Sequence, residues 1–437
     1  MDSEGHNRST SLHLHPGMRR CLALAAVGLA GVAAGFAAGF YFKPAPVPPP
    51  PAAAVKPVPA ATYIPLAYAD LPGWQDDHVA EAMPALLASC RALAQKSPSD
   101  EIGIGSVKRS AAAWQRACSS LVAGATDADL RRQLEQVFTP YAVLTAAPAG
   151  DTPEGLFTGY YEADLHGSLT REGPFQVPIY GVPNDLVTID TAQFIPDLGP
   201  TIPRQLVGHV SATPAGAVLT PYYTRQQIDR DHALDGKADV LVWADDPVAV
   251  HILHIQGSGR VALPDGREIH VGFAGHNGQA FRGIGSILRT AGVLKPGQAS
   301  MDHVRDWLRA HPDDAARYMD ENARYIFFRI TGDSARPGPQ DQAPQDPGPQ
   351  GALGVPLTAG RSLAVDPTFL PLGAPVWLET ADPDGVPIRR LVSAQDVGAA
   401  ITGPVRGDLF WGHGEAAFAA AARMQSKGRY FILIPAE

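Results

Sequence analysis

Cysteine is scarce in this 437-residue chain: there are three, Cys21, Cys90 and Cys118. No long basic run is present and the formal net charge is −9, which argues against nucleic acid as a partner. Several metal and nucleophile patterns are missing as well. No His–Cys zinc spacing or EF-hand loop occurs, and His254, His270 and His276 do not form a zinc-protease arrangement. Ser258 stands in QGSGR, without the glycine two residues before it that a nucleophile elbow requires. No internal repeat is visible. What is abundant is glycine (44) and proline (41), which favours many turns and a β-rich architecture over long helices. The length allows two or three domains.

Residues 1–20 read as a cytoplasmic tail. Arg19 and Arg20 precede an apolar run from Cys21 to Phe42, and about 20 such residues suffice to span a bilayer. The flanking arginines put the N-terminus inside and the remainder outside. Residues 21–42 are therefore read as a transmembrane anchor, with a cleaved signal and a soluble periplasmic protein as the alternative. Residues 43–62, rich in proline and alanine, form an extended spacer. The rest then occupies an oxidising compartment on the periplasmic face of the inner membrane.

From about Gln75 to Leu144 apolar residues recur at helical spacing: Val79, Met83, Leu86, Cys90 and Leu93, then Trp114, Cys118 and Leu121, then Leu130, Leu134 and Val137. Cys90 and Cys118 both fall on apolar helix faces. They are either buried thiols or, as the compartment permits, a disulfide clamping two helices. Beyond Leu156, short apolar runs alternate with Gly, Pro and Asp turns, as in FQVPIYGVP, ADVLVWADD, AVHILHIQGSGRVAL and EIHVGFAGHNG, and predict strands. Helices are predicted from Gln279 to Thr290, with Asn277 capping the start and Gly292 the end, and from Met301 to Ala310. Residues 331–350 are polar and proline-rich and read as a mobile linker.

The candidate chemistry lies near the C-terminus. The segment SAQDVGAAITGPVRGDLFWG, Ser393 to Gly412, sets Asp396 and Asp408 on either side of a glycine-rich turn. Proton-transfer chemistry needs carboxyl groups held rigidly, and strand ends provide that. Neighbouring Leu409, Phe410 and Trp411 can desolvate Asp408 and raise its pKa. Asp366, before a proline, fits a turn role. Three aspartates also leave a hard-cation site open on residue type alone. Tyr160 and Tyr161 in FTGYYEADLHGS are structural aromatics or a platform for sugar rings. The GSGR turn suits a backbone-exposing loop.

Taken in order, FTGYYEADL, PIYGVP, HIQGSGRVALPDG, FAGHNGQAFRGIG, VPLTAGRSLAVDPTFLPLG and AQDVGAAITGPVRGDLFWG resemble the membrane-bound lytic murein transglycosylase A family from Leu156 to the C-terminus. The final block resembles its three-aspartate domain, with Asp366, Asp396 and Asp408 at the matching positions. The resemblance implies a mainly β protein with N-terminal helices. In it a double-psi β-barrel is interrupted by a smaller inserted β domain, with a glycan groove between the two. The implied division is residues 63–176 for the helices and first part of the barrel, 177–328 for the insert, 329–350 for the linker and 351–437 for completion of the barrel. It also implies a peptidoglycan lytic exotransglycosylase that cleaves the β-1,4 bond between N-acetylmuramic acid and N-acetylglucosamine without water. The product carries a 1,6-anhydromuramic end, and no cofactor or metal is used. Asp408 is then the single acid/base and Asp396 its support, with Thr158, Tyr160, Gln256, Ser258 and Asn277 as groove residues. The implied partners are peptidoglycan strands, the membrane through the N-terminal helix, and cell-wall synthesis or division proteins. The chain departs from the resemblance in three places: its anchor is a helix where many relatives use a lipidated cysteine, the linker is enlarged, and Gly407 and LFWGHG differ from the more familiar pattern.

Overall fold

A computed structural model describes residues 60–436, apart from 147–149, 196–204, 215, 296, 299 and 336–347. The predicted tail and anchor, nearly all of the spacer and most of the linker lie outside the described residues. Within them, no helix is long and apolar enough to cross a membrane.

The chain opens with β1 (Ala61–Pro65), helix α1 (Met83–Leu93), the short β2 (Glu101–Ile102) and β3 (Arg109–Ser110), then α2 (Ala111–Ser119), α3 (Asp127–Val137) and β4 (Phe138–Thr145). Ser110 and Thr126 cap α2 and α3 by accepting the amides of Ala113 and Asp129, which satisfies donors that a helix start leaves free. Cys90 on α1 and Cys118 on α2 are joined by a disulfide, with their Cα atoms 5.6 Å apart. The helical reading ran too far at its end. Phe138–Thr145 is a strand whose Phe138 and Val143 are buried and which pairs with the C-terminal strand.

The 14-residue β5 (Gly155–Ser168) follows. Next come β6 (Val177–Tyr180), β7 (Val187–Asp190), β8 (Gln205–Thr213), β9 (Gly216–Pro221), α4 (Arg225–Asp229), β10 (Val240–Ala244), α5 (Pro247–Gln256), β11 (Ser258–Ala262), β12 (Arg267–His276), α6 (Ile284–Thr290), α7 (Met301–Ala310), α8 (Pro312–Asp320) and β13 (Ile326–Ala335). The last block holds β14 (Ser362–Val365), β15 (Pro375–Ala381), β16 (Pro387–Asp396), β17 (Arg406–His413), α9 (Gly414–Arg423) and β18 (Gln425–Pro435).

Two closed rings of strands share β5. The first runs β18–β15–β16–β14–β17–β5 and returns to β18 through the pairing of Gln425–Gly428 with Gly155–Thr158. Its pairs β14–β16 and β17–β5 are parallel and the others antiparallel. This is the barrel, and its core of Val376, Trp377, Leu391, Ile432 and neighbours is continuous with the apolar faces of α1, α2 and α3. The second ring runs β6–β10–β5–β11–β12–β13, and a parallel bridge from Gly181 to Phe328 closes it. It has its own core, built with α5, α6, α7 and α8.

Four further expectations need correction. The run AVHILHIQ is not a strand but the body of α5. Asp246 caps it, Pro247 takes its first position and Gly257 ends it at φ 83°. Its apolar residues are buried nearly all round, so the stripe that marks a surface helix is absent. Ser258–Ala262 is a buried strand and not an exposed turn. The helix expected from Gln279 begins at Ile284, with Gly283 and not Asn277 at its cap. Residues 331–335 extend β13 and are not linker; past the undescribed residues, Gln350 bridges to Pro356.

Candidate active site

Ala364, in the middle of β14, is paired with Asp396 of β16 on one side and with Asp408 of β17 on the other. The register therefore sets the two carboxylates at one level of the barrel wall. On the far side of β17, Asp408 lies opposite Thr158 of β5, and Phe410 opposite Tyr160. Residues two apart in a strand share a face, so Thr158 and Tyr160 both turn toward the aspartates. Gly159 between them is needed for close approach: a Cβ there would lie 2.6 Å from Trp411 Nε1.

The two aspartates differ in how they are held. Asp396 accepts three hydrogen bonds: Oδ1 takes the amides of Ala352 and Val397, both at 2.9 Å, and Oδ2 takes the Tyr160 hydroxyl at 3.0 Å. Burial raises its proton affinity and these donors pull it back. Asp408 Oδ1 accepts the Thr158 hydroxyl at 2.6 Å. On its face lie Ala364, its partner on β14, and Phe410, two residues on in β17, which with Tyr160, Leu357 and Ile401 form a small apolar cluster. Loss of solvation pushes the Asp408 pKa up to about 6, with the Thr158 hydrogen bond and the Arg406 charge acting against the rise and Asp396 adding to it. Asp408 nonetheless keeps part of its surface accessible. It can thus hold a proton near neutral pH and still meet a ligand.

Burial, together with Asp396 and Asp408, pushes the Tyr160 phenol well above its ordinary range, so it remains a donor. Both tyrosines of the pair are buried. Tyr160 packs on Phe410 and Tyr161 on Phe418, on opposite faces of β5. Neither ring is an open platform for a sugar.

Gln256, at the end of α5, accepts the Tyr161 amide at 3.1 Å and ties that helix to β5. Ser258 is buried at the start of β11. Asn277 is 0% exposed. Its amide donates to the carbonyls of Tyr223 and Ala323, both at 2.8 Å, and its oxygen accepts the Tyr325 amide at 2.9 Å. It is an interior clamp on backbone groups, which corrects its assignment to the groove. Asp366 takes the Thr368 amide at 3.0 Å and the Gly403 amide at 2.8 Å, so it fixes the loop leading into β17. Among the described residues no group of three or more His, Cys, Asp or Glu side chains is placed to hold a metal.

Sequence reasoning missed Arg406. Its Nη2 donates to Thr158 Oγ1 at 2.8 Å and its Nη1 to the carbonyls of Leu156, at 3.2 Å, and Gly407. The available signal was its position two residues before Asp408 in a strand, which puts both on one face.

Fold and site together define a double-psi β-barrel protein with an inserted β domain and a partly accessible carboxyl group in the barrel wall. Known proteins agree with that class. The pattern described as the MltA specific insert domain matches residues 156–329, and the 3D domain matches residues 361–434. The crystal structure of MltA from Neisseria gonorrhoeae is 30% identical, with a TM-score of 0.68 over 86% of this chain and 93% of that one. A membrane-bound lytic murein transglycosylase from Agrobacterium tumefaciens is 29% identical, with a TM-score of 0.70 over 86% of this chain and 98% of that one. The membrane-bound lytic murein transglycosylase A of Escherichia coli (strain K12) is 29% identical over 285 residues, 63% of this chain and 65% of the relative's length. The chain belongs to the MltA family.

Proposed function

We propose that this protein is a lytic transglycosylase of peptidoglycan. It cleaves the β-1,4 bond between N-acetylmuramic acid and N-acetylglucosamine and leaves a 1,6-anhydromuramic end. The observation that carries this reading is the inequality of the two aspartates. Both are half-buried and burial raises the proton affinity of both, but Asp408 has one short hydroxyl bond and a pKa pushed up to about 6, whereas three donors hold Asp396. A hydrolase of the usual kind needs two working carboxyl groups. One is enough here.

In the first step the Asp408 proton passes to the glycosidic oxygen as the bond from the muramic anomeric carbon breaks. In the second, the muramic 6-hydroxyl oxygen bonds to that carbon and its proton returns to Asp408. No water is consumed, and the carboxyl group ends as it began. A pKa near the working pH suits a group that must both give and take the proton. Asp396, held by Tyr160 and two amides, keeps the neighbouring wall in place. Thr158 lies beside Asp408 under the sugar, with Tyr160 behind it as the brace of Asp396, and Gln256 at the end of α5 and Ser258 at the start of β11 are assigned to the groove further along.

The insert is assigned residues 177–328 and the groove lies between it and the barrel. The N-terminal segment holds the enzyme at the periplasmic face of the membrane, in keeping with relatives named membrane-bound. The enzyme is assigned to the exo-acting kind. The test is mass analysis of products from purified peptidoglycan in 18O-water. Anhydro-muropeptides without label are expected, with Asp408→Asn slower by about 10²–10⁴-fold. Reducing ends carrying 18O would overturn the reading in favour of hydrolysis.

A further inference from the structure

We propose that Arg406 is a positioning residue: acting through the Thr158 hydroxyl, it determines which oxygen of Asp408 carries the acid proton. The inference concerns the same site and, for its kinetic arm, rests on the transglycosylase reading.

A threonine hydroxyl has one proton to give and two lone pairs to offer. A guanidinium can only donate. Arg406 Nη2 lies 2.8 Å from Thr158 Oγ1 and therefore occupies one of its lone pairs. The hydroxyl proton is left for Asp408 Oδ1, 2.6 Å away, a short bond of the charge-assisted kind. Oδ1 is thus an acceptor in both protonation states of Asp408. When Asp408 takes up a proton, that proton sits on Oδ2, the oxygen not engaged by Thr158. Without Arg406 the hydroxyl can turn round and accept a proton from Oδ1. The acid proton would then be held by Thr158 and withheld from the ligand.

Arg406 is itself anchored for this task by the backbone carbonyls of Leu156 and Gly407. The other groups facing Asp408 do not duplicate the effect. Strand β14 offers Ala364. Strand β16 offers Asp396, whose hydrogen bonds are described above, and β5 adds Tyr160, which donates to Asp396. On β18, neutral Gln425 pairs with Thr158, while Lys427 is engaged by Glu154. The Arg406 charge also favours ionised Asp408, so its removal lets the carboxyl pKa rise further.

The experiment compares wild type, Arg406→Gln, Arg406→Lys, Thr158→Val and the double variant Arg406→Gln/Thr158→Val. It uses two readouts. One is the 13C NMR titration of the Asp408 carboxyl, assigned by its loss in Asp408→Asn. The other is kcat and KM against pH on peptidoglycan, with thermal melts to confirm folding. Arg406→Gln is expected to move the Asp408 titration, and the alkaline limb of kcat, upward by about one pH unit. It should lower kcat about tenfold with little change in KM, since a group acting only in the transition state affects kcat. Arg406→Lys should recover part of the rate. The double variant should be no slower than Thr158→Val alone. An unmoved titration, or losses that multiply in the double variant, would overturn the inference. If the wild type forms no anhydro product, the activity reading fails, and the NMR titration still decides this one.

Discussion

Strand β5 serves both rings, and a buried carboxylate meets opposite treatment in each. Where β5 passes into the second ring, Glu162 is 1% exposed and accepts Nε of Arg260, itself buried, at 2.7 Å. Glu268 and His270 belong to the same cluster, with the His270 ring 3.2 Å from Glu268 and 3.8 Å from Glu162. In the barrel, Asp408 is set against an apolar cluster with one short hydroxyl bond and a guanidinium at one remove. A buried charge matched by a charge is a fixture of the fold. A desolvated carboxyl group that is only partly compensated binds a proton near neutral pH and is available for chemistry.

The largest expected effect comes from breaking the matched pair. Arg260→Met removes the guanidinium that donates to Glu162 at 2.7 Å and should destabilise the protein by about 3–5 kcal/mol. Denaturant unfolding of both proteins under the same buffer checks this. A loss below about 1 kcal/mol would mean that the cluster is not what holds Glu162.

Asp408 should respond with the opposite sign. Its folded pKa, about 6, lies above the ordinary aspartate value of 3.8, so the folded state binds the proton more tightly. Stability therefore falls as pH rises from about 4 to 6 and stays lower above that. Asp408→Asn removes the penalty and should stabilise the protein at pH 8 by about 1–3 kcal/mol, the partial exposure of the side chain keeping it below the full conversion. The gain should vanish near pH 4, where both side chains are neutral. A variant that is destabilised at pH 8 would place Asp408 with Glu162 among the structural carboxylates.

Much of the barrel's strand content could be read from the sequence because its short apolar runs end at Gly, Pro and Asp turns. The two aspartates stood out for the same reason: each sits at a strand end or in a strand beside a turn. Helix α5 could not be read, since its buried face extends nearly all round and a β-branched run such as VHILHI suits either state. Asn277 was misplaced because its partners, Tyr223, Ala323 and Tyr325, are some 50 residues away in the chain. Arg406 and Thr158 meet across 248 positions, through the parallel register of β17 on β5, and no local pattern encodes that register. The inequality of Asp396 and Asp408 belongs to the same kind of information. It arises from Tyr160, Ala352 and Val397 converging on one carboxyl group and not on the other.

The smallest effect tests whether Asp396 really stands on the structural side of the comparison. Tyr160→Phe removes the donor to Asp396 Oδ2 and leaves the ring packed on Phe410. The amides of Ala352 and Val397 still hold Oδ1, so the carboxylate loses one hydrogen bond of three. The expected cost is about 0.5–1.5 kcal/mol of stability, the ordinary worth of one such bond. Turnover should fall several-fold, because the wall beside Asp408 loosens while the proton on Asp408 is untouched. Thermal unfolding and kcat measured on the same preparation separate the two effects. A loss of turnover as deep as that of Asp408→Asn would show that Tyr160 and Asp396 share in moving the proton. The contrast between a matched carboxylate and a reactive one would then have to be drawn between the two rings as wholes, and no longer between two residues of the same barrel wall.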